Sequence, residues 1–131
     1  MIVIDTSALI AILQREGERD QFAQIIGRAD PVFLSVVSMQ EAAMVMFSRH
    51  GQPGLDQLWQ LVTDSDIQIV QFDEAQLRQA IEAFKRYGKG MGTAAKLNMG
   101  DCASYALAKS MSLPLLYKGT DFAATDIPAV V

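Results

Sequence analysis

The chain has 131 residues, half of them hydrophobic and a fifth charged. This balance excludes a disordered or fibrous protein and predicts one domain, residues 1–131, with a packed core. A single cysteine excludes an intrachain disulfide, no apolar run approaches the roughly 18–20 residues of a membrane-spanning helix, and the strand-like opening does not resemble a secretory leader, so we expect a cytoplasmic protein with no membrane partner.

Short apolar, β-branched runs predict buried strands at residues 2–4, 32–34, 67–72, 115–117 and, less clearly, 127–131. The stretches between them predict helices at residues 7–14, 18–28, 39–50, 55–63, 74–87 and 101–112. Strands therefore alternate with helices. This order predicts an α/β fold with a mainly parallel central sheet flanked by helices on both faces.

Several residues indicate where helices begin and end. Ser38 followed by Glu41 predicts a capping box, and Asp73 predicts an N-cap. Gly51 and Gly88 follow predicted helix ends, where a left-handed residue is favoured. The glycine-rich stretch 88–98 predicts a flexible loop that leads into the last helix.

Four acidic residues fall near the predicted carboxyl ends of strands: Asp5, Glu41, Asp101 and Asp121. The carboxyl ends of parallel strands share one edge of a sheet, so we expect these side chains to converge there. Like charges at close range repel, and a hard divalent cation with oxygen ligands resolves that conflict. The pattern predicts a metal site, to which Asp126 offers an alternative fourth acid.

Each acid also has a purely structural explanation. Asp5 is placed to cap a helix, Glu41 to complete a capping box, Asp101 to complement a helix dipole and Asp121 to form a turn. Capping preferences alone do not predict that all four fall at one edge of the sheet. The joint placement therefore favours the metal site.

Net charge does not exclude a nucleic-acid partner. The chain carries 15 acidic and 11 basic residues, a net charge of −4. If four acids are metal ligands, 15 − 4 = 11 acids remain against 11 bases, and a bound cation adds positive charge where a phosphate must sit. We expect Lys89, Lys96 and Lys118 to lie along the path of a nucleic-acid partner, although solvated lysines explain the first nearly as well.

Four segments together resemble a known family: VIDTSAL at residues 3–9, SMQE at 38–41, LNMGDC at 97–102 and KGTDF at 118–122. The chain resembles PIN-domain proteins, and specifically the VapC toxins of bacterial toxin–antitoxin pairs. That resemblance implies an α/β PIN fold and cleavage of RNA by an endoribonuclease that depends on Mg2+ or Mn2+.

The resemblance also implies site residues and partners. The metal carboxylates would be Asp5, Glu41, Asp101 and Asp121. We assign Asp5 and Asp101 as principal ligands, Glu41 as a ligand or water-positioning base, and Asp121 as an outer or second-metal acid. The implied partners are a VapB-like antitoxin, RNA and a second copy of the chain in a homodimer, with DNA reached only through the antitoxin.

Other interpretations remain open at this point. Thr6 either orients Asp5 or only begins a helix. His50 and Cys102 each lack a second residue of their kind, which argues against a zinc site or a cysteine–histidine nucleophile. The rival functions are a catalytically silent PIN scaffold that binds an antitoxin and a phosphoacceptor receiver domain.

Overall fold

The computed structural model describes residues 1–131 as four short strands and six helices. The strands are β1 (Ile2–Ile4), β2 (Val32–Ser35), β3 (Ile67–Val70) and β4 (Leu115–Leu116). The helices are α1 (Thr6–Leu13), α2 (Arg19–Arg28), α3 (Val36–His50), α4 (Gln52–Asp64), α5 (Glu74–Tyr87) and α6 (Met99–Met111). All strand pairs are parallel, in the order β3-β2-β1-β4, which confirms the predicted α/β fold.

The sheet separates two hydrophobic cores because successive strand residues point to opposite faces. On β1, Ile2 and Ile4 join a core that includes residues of α1 to α4, whereas Val3 joins a core that includes residues of α5 and α6. On β4, Leu115 and Leu116 divide in the same way. Strand β1 is therefore central and covered on both faces, so the residue that follows it has a fixed position.

The predicted fifth strand at residues 127–131 is wrong. The segment forms one isolated parallel bridge, between Leu115 and Ala129, next to β4. The carbonyl of Pro128 accepts from the Leu115 N–H, and Val130 donates to the Leu115 carbonyl. Proline has no N–H with which to continue a ladder, so the pairing stops at a single bridge.

Three predicted helix starts are displaced by two or three residues, and one of them is that of α4, which begins at Gln52 rather than at residue 55. Helix α3 begins at Val36 and is capped by Ser35, whose hydroxyl accepts from the Val37 N–H at 3.2 Å, so Ser38 lies inside the helix and makes no capping box. Helix α6 begins at Met99, which places Asp101 at its third residue rather than its first. The Asp73 cap of α5 is confirmed, since its carboxylate accepts from the Gln76 N–H at 2.8 Å.

The two glycines after helix ends differ. Gly51 has a positive φ of +67°, which favours glycine, but its ψ of −156° is not that of the predicted left-handed residue, and Gly88 is extended at φ −65°. Gly88 is needed for a different reason, because a Cβ there would lie 2.5 Å from the Phe84 carbonyl oxygen and from its ring.

No helix of the chain is long and apolar enough to cross a membrane.

Replacing Gly88 with alanine should therefore destabilise the protein, by about 1–3 kcal/mol, because the new methyl group overpacks against backbone. The matched control is Gly27→Ala on α2, where a Cβ meets nothing within 4 Å. That change should stabilise by about 0.5–1 kcal/mol, since alanine restricts the unfolded chain. Urea unfolding of both variants measures the difference, and a Gly88→Ala protein as stable as the parent would contradict this packing.

Candidate active site

Asp5 follows the central strand and is held by three hydrogen bonds. Its side chain is 2% exposed and caps α1. One carboxylate oxygen, Oδ2, accepts from the Ser7 N–H at 3.0 Å and from the Ser7 hydroxyl at 2.6 Å. The other, Oδ1, accepts from the Ser104 hydroxyl at 2.5 Å. The capping role is therefore real, and it fixes the carboxylate in one orientation.

Glu41 lies one turn into α3 and packs against the start of α6. A Cβ built on Gly100 would lie 2.5 Å and 2.9 Å from the two carboxylate oxygens of Glu41. The carboxylate therefore fits against α6 only because residue 100 has no side chain. Asp101 is the next residue along α6. The two acids are thus brought to the same point by the packing of two helices.

Asp101 forms a capping box with Asn98. Its Oδ2 accepts from the Asn98 N–H at 3.1 Å, and the Asn98 side chain accepts from the Asp101 N–H at 2.8 Å. Burial raises the pKa of Asp101 to about 7; the bond from Asn98 lowers it, and the charges of Asp5, Asp121 and Glu41 raise it further. The charges of three acids from separate segments therefore act on Asp101 at this edge of the sheet, where the sequence predicted the four to converge.

The two candidates for a fourth acid have different surroundings. Asp121 is exposed in the turn after β4, and its charge acts on Asp101. Asp126 accepts from the Tyr105 hydroxyl at 2.6 Å and from the Lys109 ammonium at 2.8 Å. The hydrogen bonds from Lys109 and Tyr105 lower the pKa of Asp126, so this carboxylate is committed to fastening the C-terminal segment to α6.

The donor set suits a hard divalent cation. All four acids offer carboxylate oxygens, and excess negative charge at the site is what a cation offsets. As the side chains stand, no group of three or more His, Cys, Asp or Glu residues is arranged to hold a metal ion. One oxygen of Asp5 accepts a hydrogen bond from a serine, and one of Asp101 accepts a hydrogen bond from a backbone N–H. A Mg2+ ion that keeps several waters needs only one or two carboxylates as direct ligands.

The predicted auxiliary residues are only partly at the site. The Thr6 hydroxyl donates to the Ser38 carbonyl at 3.0 Å and not to Asp5, which Ser7 binds instead. Lys118 pairs with Glu16 at 2.7 Å and Glu18 at 3.5 Å, and its backbone N–H donates to the Ser7 hydroxyl. The remaining two lysines, 89 and 96, are exposed on the loop before α6.

Two other reactive side chains take structural positions. His50 shares a 3.0 Å hydrogen bond with the Gln14 side chain and forms none with an acid of the site. Cys102 is buried, and burial together with the Asp101 charge raises the pKa of its thiol to about 11. A thiol that stays protonated is a poor nucleophile, in agreement with the sequence interpretation.

The sequence interpretation missed three residues that contact the acids. Ser7 and Ser104 hydrogen-bond Asp5, and Gly100 makes room for Glu41. Helical spacing offered a signal, since Ser104 lies three residues after Asp101 and Ser38 three residues before Glu41. Residues three apart share a helix face. Which serine faces an acid depends on packing between elements, which spacing alone does not give.

A PIN-domain family model matches residues 2–128, and so covers nearly all of the chain. The chain belongs to the PIN-domain family. A relative in Mycolicibacterium smegmatis named Ribonuclease VapC is 44% identical over 130 residues, which cover 98% of this chain and 99% of the relative. This membership confirms the resemblance and does not favour a receiver domain.

Solved structures share the PIN fold. The Mycobacterium tuberculosis toxin VapC20, described as cleaving the sarcin-ricin loop, superposes with TM-score 0.80 at 16% identity, over 99% of this chain and 98% of that one. The Rickettsia felis VapBC2 complex, bound to a DNA fragment from its promoter, superposes with TM-score 0.77 at 11% identity, over 98% and 97%. At these identities the likeness concerns the fold alone.

The raised pKa of Asp101 predicts an unusual dependence of stability on pH in this PIN domain. An unfolded aspartate titrates near pH 4, so between about pH 4 and pH 7 the folded chain binds more protons than the unfolded chain. The free energy of unfolding therefore falls as pH rises through that window. Asp101→Asn should be the more stable protein at pH 8 in chelator, by about 1 kcal/mol because solvent screens a partly exposed carboxylate, with no gain at pH 4.

Asp126→Asn provides a control of opposite sign. The pKa of Asp126 is lowered by its hydrogen bonds, so its ionised form stabilises the folded chain above about pH 4 and that contribution is lost on acidification. This variant should be less stable than the parent at pH 8. Thermal unfolding from pH 4 to pH 8 measures both effects, and an Asp101→Asn protein no more stable at pH 8 would contradict the burial of Asp101 among like charges.

Proposed function

We propose that this PIN-domain protein is the toxin of a toxin–antitoxin pair, an endoribonuclease that hydrolyses RNA phosphodiester bonds with the help of Mg2+ or Mn2+. The observation that carries the proposal is the convergence of acids from four separate segments, since burial raises the pKa of Asp101 and the charges of Asp5, Asp121 and Glu41 raise it further. Like charges at close range disfavour one another, so a contribution to stability does not explain why these acids lie together. The names of the curated relatives agree with this reaction.

In the proposed site Asp5 and Asp101 are the principal metal ligands, Glu41 is a ligand or a water-positioning base, and Asp121 is an outer acid or a ligand to a second metal. When bound, the metal supplies a Lewis acid that lowers the pKa of a coordinated water and offsets charge on phosphoryl oxygens. Asp121 is preferred to Asp126 because the latter is already paired with Lys109.

The side chains of this chain have distinct tasks in that reaction. The three hydrogen bonds to Asp5 hold its carboxylate against rotation, so that it keeps one orientation towards the cation. Glu41 lies over Gly100, where its free oxygens can accept a proton from an attacking water. Asp121 is exposed, so it meets substrate from the solvent side.

RNA must approach an acidic edge, and cations near it lower the repulsion. Lys89 and Lys96 project from the loop before α6 and form none of the ion pairs in the structure, which supports them as phosphate contacts. Lys118 can contribute only by exchanging Glu16 for a phosphate. We propose that the reaction takes place in the cytoplasm, in agreement with one free, buried cysteine.

Metal-dependent cleavage of total RNA tests the enzyme. The purified protein should cleave RNA with Mg2+ or Mn2+ and not with chelator, and Asp101→Asn should lower the rate at least about 100-fold because a charge that stabilises the reaction is removed. Asp101→Asn is preferable to Asp5→Asn. An amide at position 5 would place an NH2 group against a hydroxyl or N–H that now donates a hydrogen bond to Asp5. Two donors would then face each other, and the fold would be disturbed.

Asp121→Asn should also lower cleavage, whereas the control Asp126→Asn should retain it in the folded protein. Equal cleavage by the parent and Asp101→Asn would indicate a contaminating nuclease and refute the assignment. No cleavage by any sample freed of antitoxin, from a chain that still binds the antitoxin when it is added, would instead support the silent scaffold. Loss of activity in Asp126→Asn but not in Asp121→Asn would reverse the choice of fourth acid.

The proposed protein partners are a VapB-like antitoxin that covers the acid site, which alone would contact DNA, and a second copy of the chain. An apolar groove of about 470 Å3 lies between α3, α5 and α6. Leu77, Ile81 and Phe84 line it and are 45%, 47% and 40% exposed. Contiguous exposed apolar surface is typical of protein interfaces, which supports this groove as the homodimer contact.

Light scattering of the purified toxin tests the homodimer. The parent should have the mass of two chains, and Ile81→Asp should be a monomer because a charge cannot be buried unpaired in an apolar contact. Gln79→Asp is the matched control, since it adds the same charge to an exposed position of the same helix outside the groove. A dimeric Ile81→Asp protein would show that the copies meet elsewhere.

A further inference from the structure

Two serines form a hydrogen-bonded pair directly behind the acid site. Ser38 on α3 and Ser104 on α6 are each 0% exposed, and their hydroxyl oxygens are 2.9 Å apart. Ser104 also donates to Oδ1 of Asp5, which is itself 2% exposed. Three buried polar side chains from three elements are thus connected in one chain of hydrogen bonds.

The direction of this chain follows from the number of protons. A hydroxyl has one proton, and that of Ser104 goes to the Asp5 carboxylate. Ser104 can therefore take part in its bond with Ser38 only as the acceptor, so Ser38 is the donor. The order is Ser38 to Ser104 to Asp5. A hydroxyl that receives a hydrogen bond is polarised and donates more strongly to the next acceptor, which makes the effect of Ser38 depend on Ser104.

Helical spacing relates the pair to the other acids. Ser38 lies three residues before Glu41, and Ser104 lies three residues after Asp101, so each serine shares a helix face with an acid. The bond between the serines joins α3 to α6 one turn away from the place where Glu41 lies against Gly100. The Thr6 hydroxyl adds a bond from α1 to the Ser38 carbonyl.

Stability alone does not account for these groups. Buried hydroxyls must be hydrogen-bonded to avoid a desolvation penalty, and a pair of apolar side chains of similar volume would pack without that requirement. Ser104 nevertheless donates to the acid that follows β1, and Ser38 reaches that acid only through Ser104. This arrangement fixes Oδ1 of Asp5, while Ser7 fixes Oδ2.

We propose that Ser104, and Ser38 acting through it, are positioning residues that orient the Asp5 carboxylate for a divalent cation. The inference rests on the proposed function and adds two residues to it. Partners that orient metal ligands change metal affinity by about 10–100-fold when removed, even though they never touch the metal. Neither serine is exposed to substrate.

Binding of Mn2+ to metal-free protein, followed by electron paramagnetic resonance, tests the proposal without any need for catalysis. Ser104→Ala should weaken Mn2+ binding about 10-fold or more, and Ser38→Ala by a smaller factor. The double variant should bind as Ser104→Ala does, because Ser38 has no route to Asp5 once Ser104 is gone. Ser110→Ala is the control, an exposed serine of the same helix, and should bind as the parent does.

Thermal unfolding of each variant separates positioning from packing. A merely structural role would lower the melting temperature and leave Mn2+ affinity unchanged, and that result for Ser104→Ala would overturn the proposal. Additive losses of affinity in the double variant would overturn the order of the chain. If Ser104→Ala does not fold, Ser38→Ala decides the matter, since it must weaken Mn2+ binding while Ser104 still reaches Asp5.

The same experiment distinguishes failure of this inference from failure of the proposed function. Parent protein that binds Mn2+ no more tightly than Asp101→Asn would refute the metal site and the inference with it. Parent protein that binds Mn2+ through Asp101, together with a Ser104→Ala variant of equal affinity, would refute only the positioning role.

Discussion

The convergence of carboxylates at one edge of a parallel sheet is the constraint on which the proposed site depends. The central strand β1 delivers Asp5 to that edge, and helices α3 and α6 deliver Glu41 and Asp101. Burial and the neighbouring charges together raise the pKa of Asp101 to about 7. The hydrophobic cores on the two faces of the sheet hold these elements together against the repulsion, because strand residues contribute alternately to one core and the other.

Hydrogen-bond donors decide what each acid is able to do. Asp5 is buried and receives three donors, so it is fixed. Asp126 is paired with Lys109 and Tyr105, so it fastens the end of the chain. Asp101 has only the backbone N–H of its own capping box and is surrounded by negative charge, so it gains most from a cation. One residue type thus takes three roles, set by its surroundings.

Much of the fold was predictable because each prediction depended on local pattern. The four main strands are short apolar runs in the sequence, and Asp73 begins α5 where its capping chemistry indicated. The start of α3 was not predictable in this way. Ser35 and Ser38 have the same capping chemistry, and what distinguishes them is a hydrogen bond from Ser38 to Ser104, 66 residues away.

The same distinction applies to the candidate site. That acids would meet at one sheet edge follows from topology, which the alternation of strands and helices predicts. The choice between Asp121 and Asp126 does not follow from topology, because Tyr105 and Lys109 reach Asp126 only after α6 has packed against the C-terminal segment. Gly88 is a third residue whose role depends on packing. A glycine is required there because Phe84 lies against the backbone, and not because the backbone is left-handed.

The distribution of basic residues makes the binding of RNA depend on the binding of the metal ion in the proposed reaction. Lys118, which the sequence placed beside the acids, is neutralised by Glu16 and Glu18, and the chain as a whole carries a charge of −4. In the proposed enzyme, the positive charge at the acid edge therefore comes from the bound cation together with Lys89 and Lys96. RNA phosphate then binds better when the cation is present, and by thermodynamic reciprocity RNA tightens the binding of the cation by the same factor. The acids that repel one another in the free protein are those that make substrate binding depend on metal.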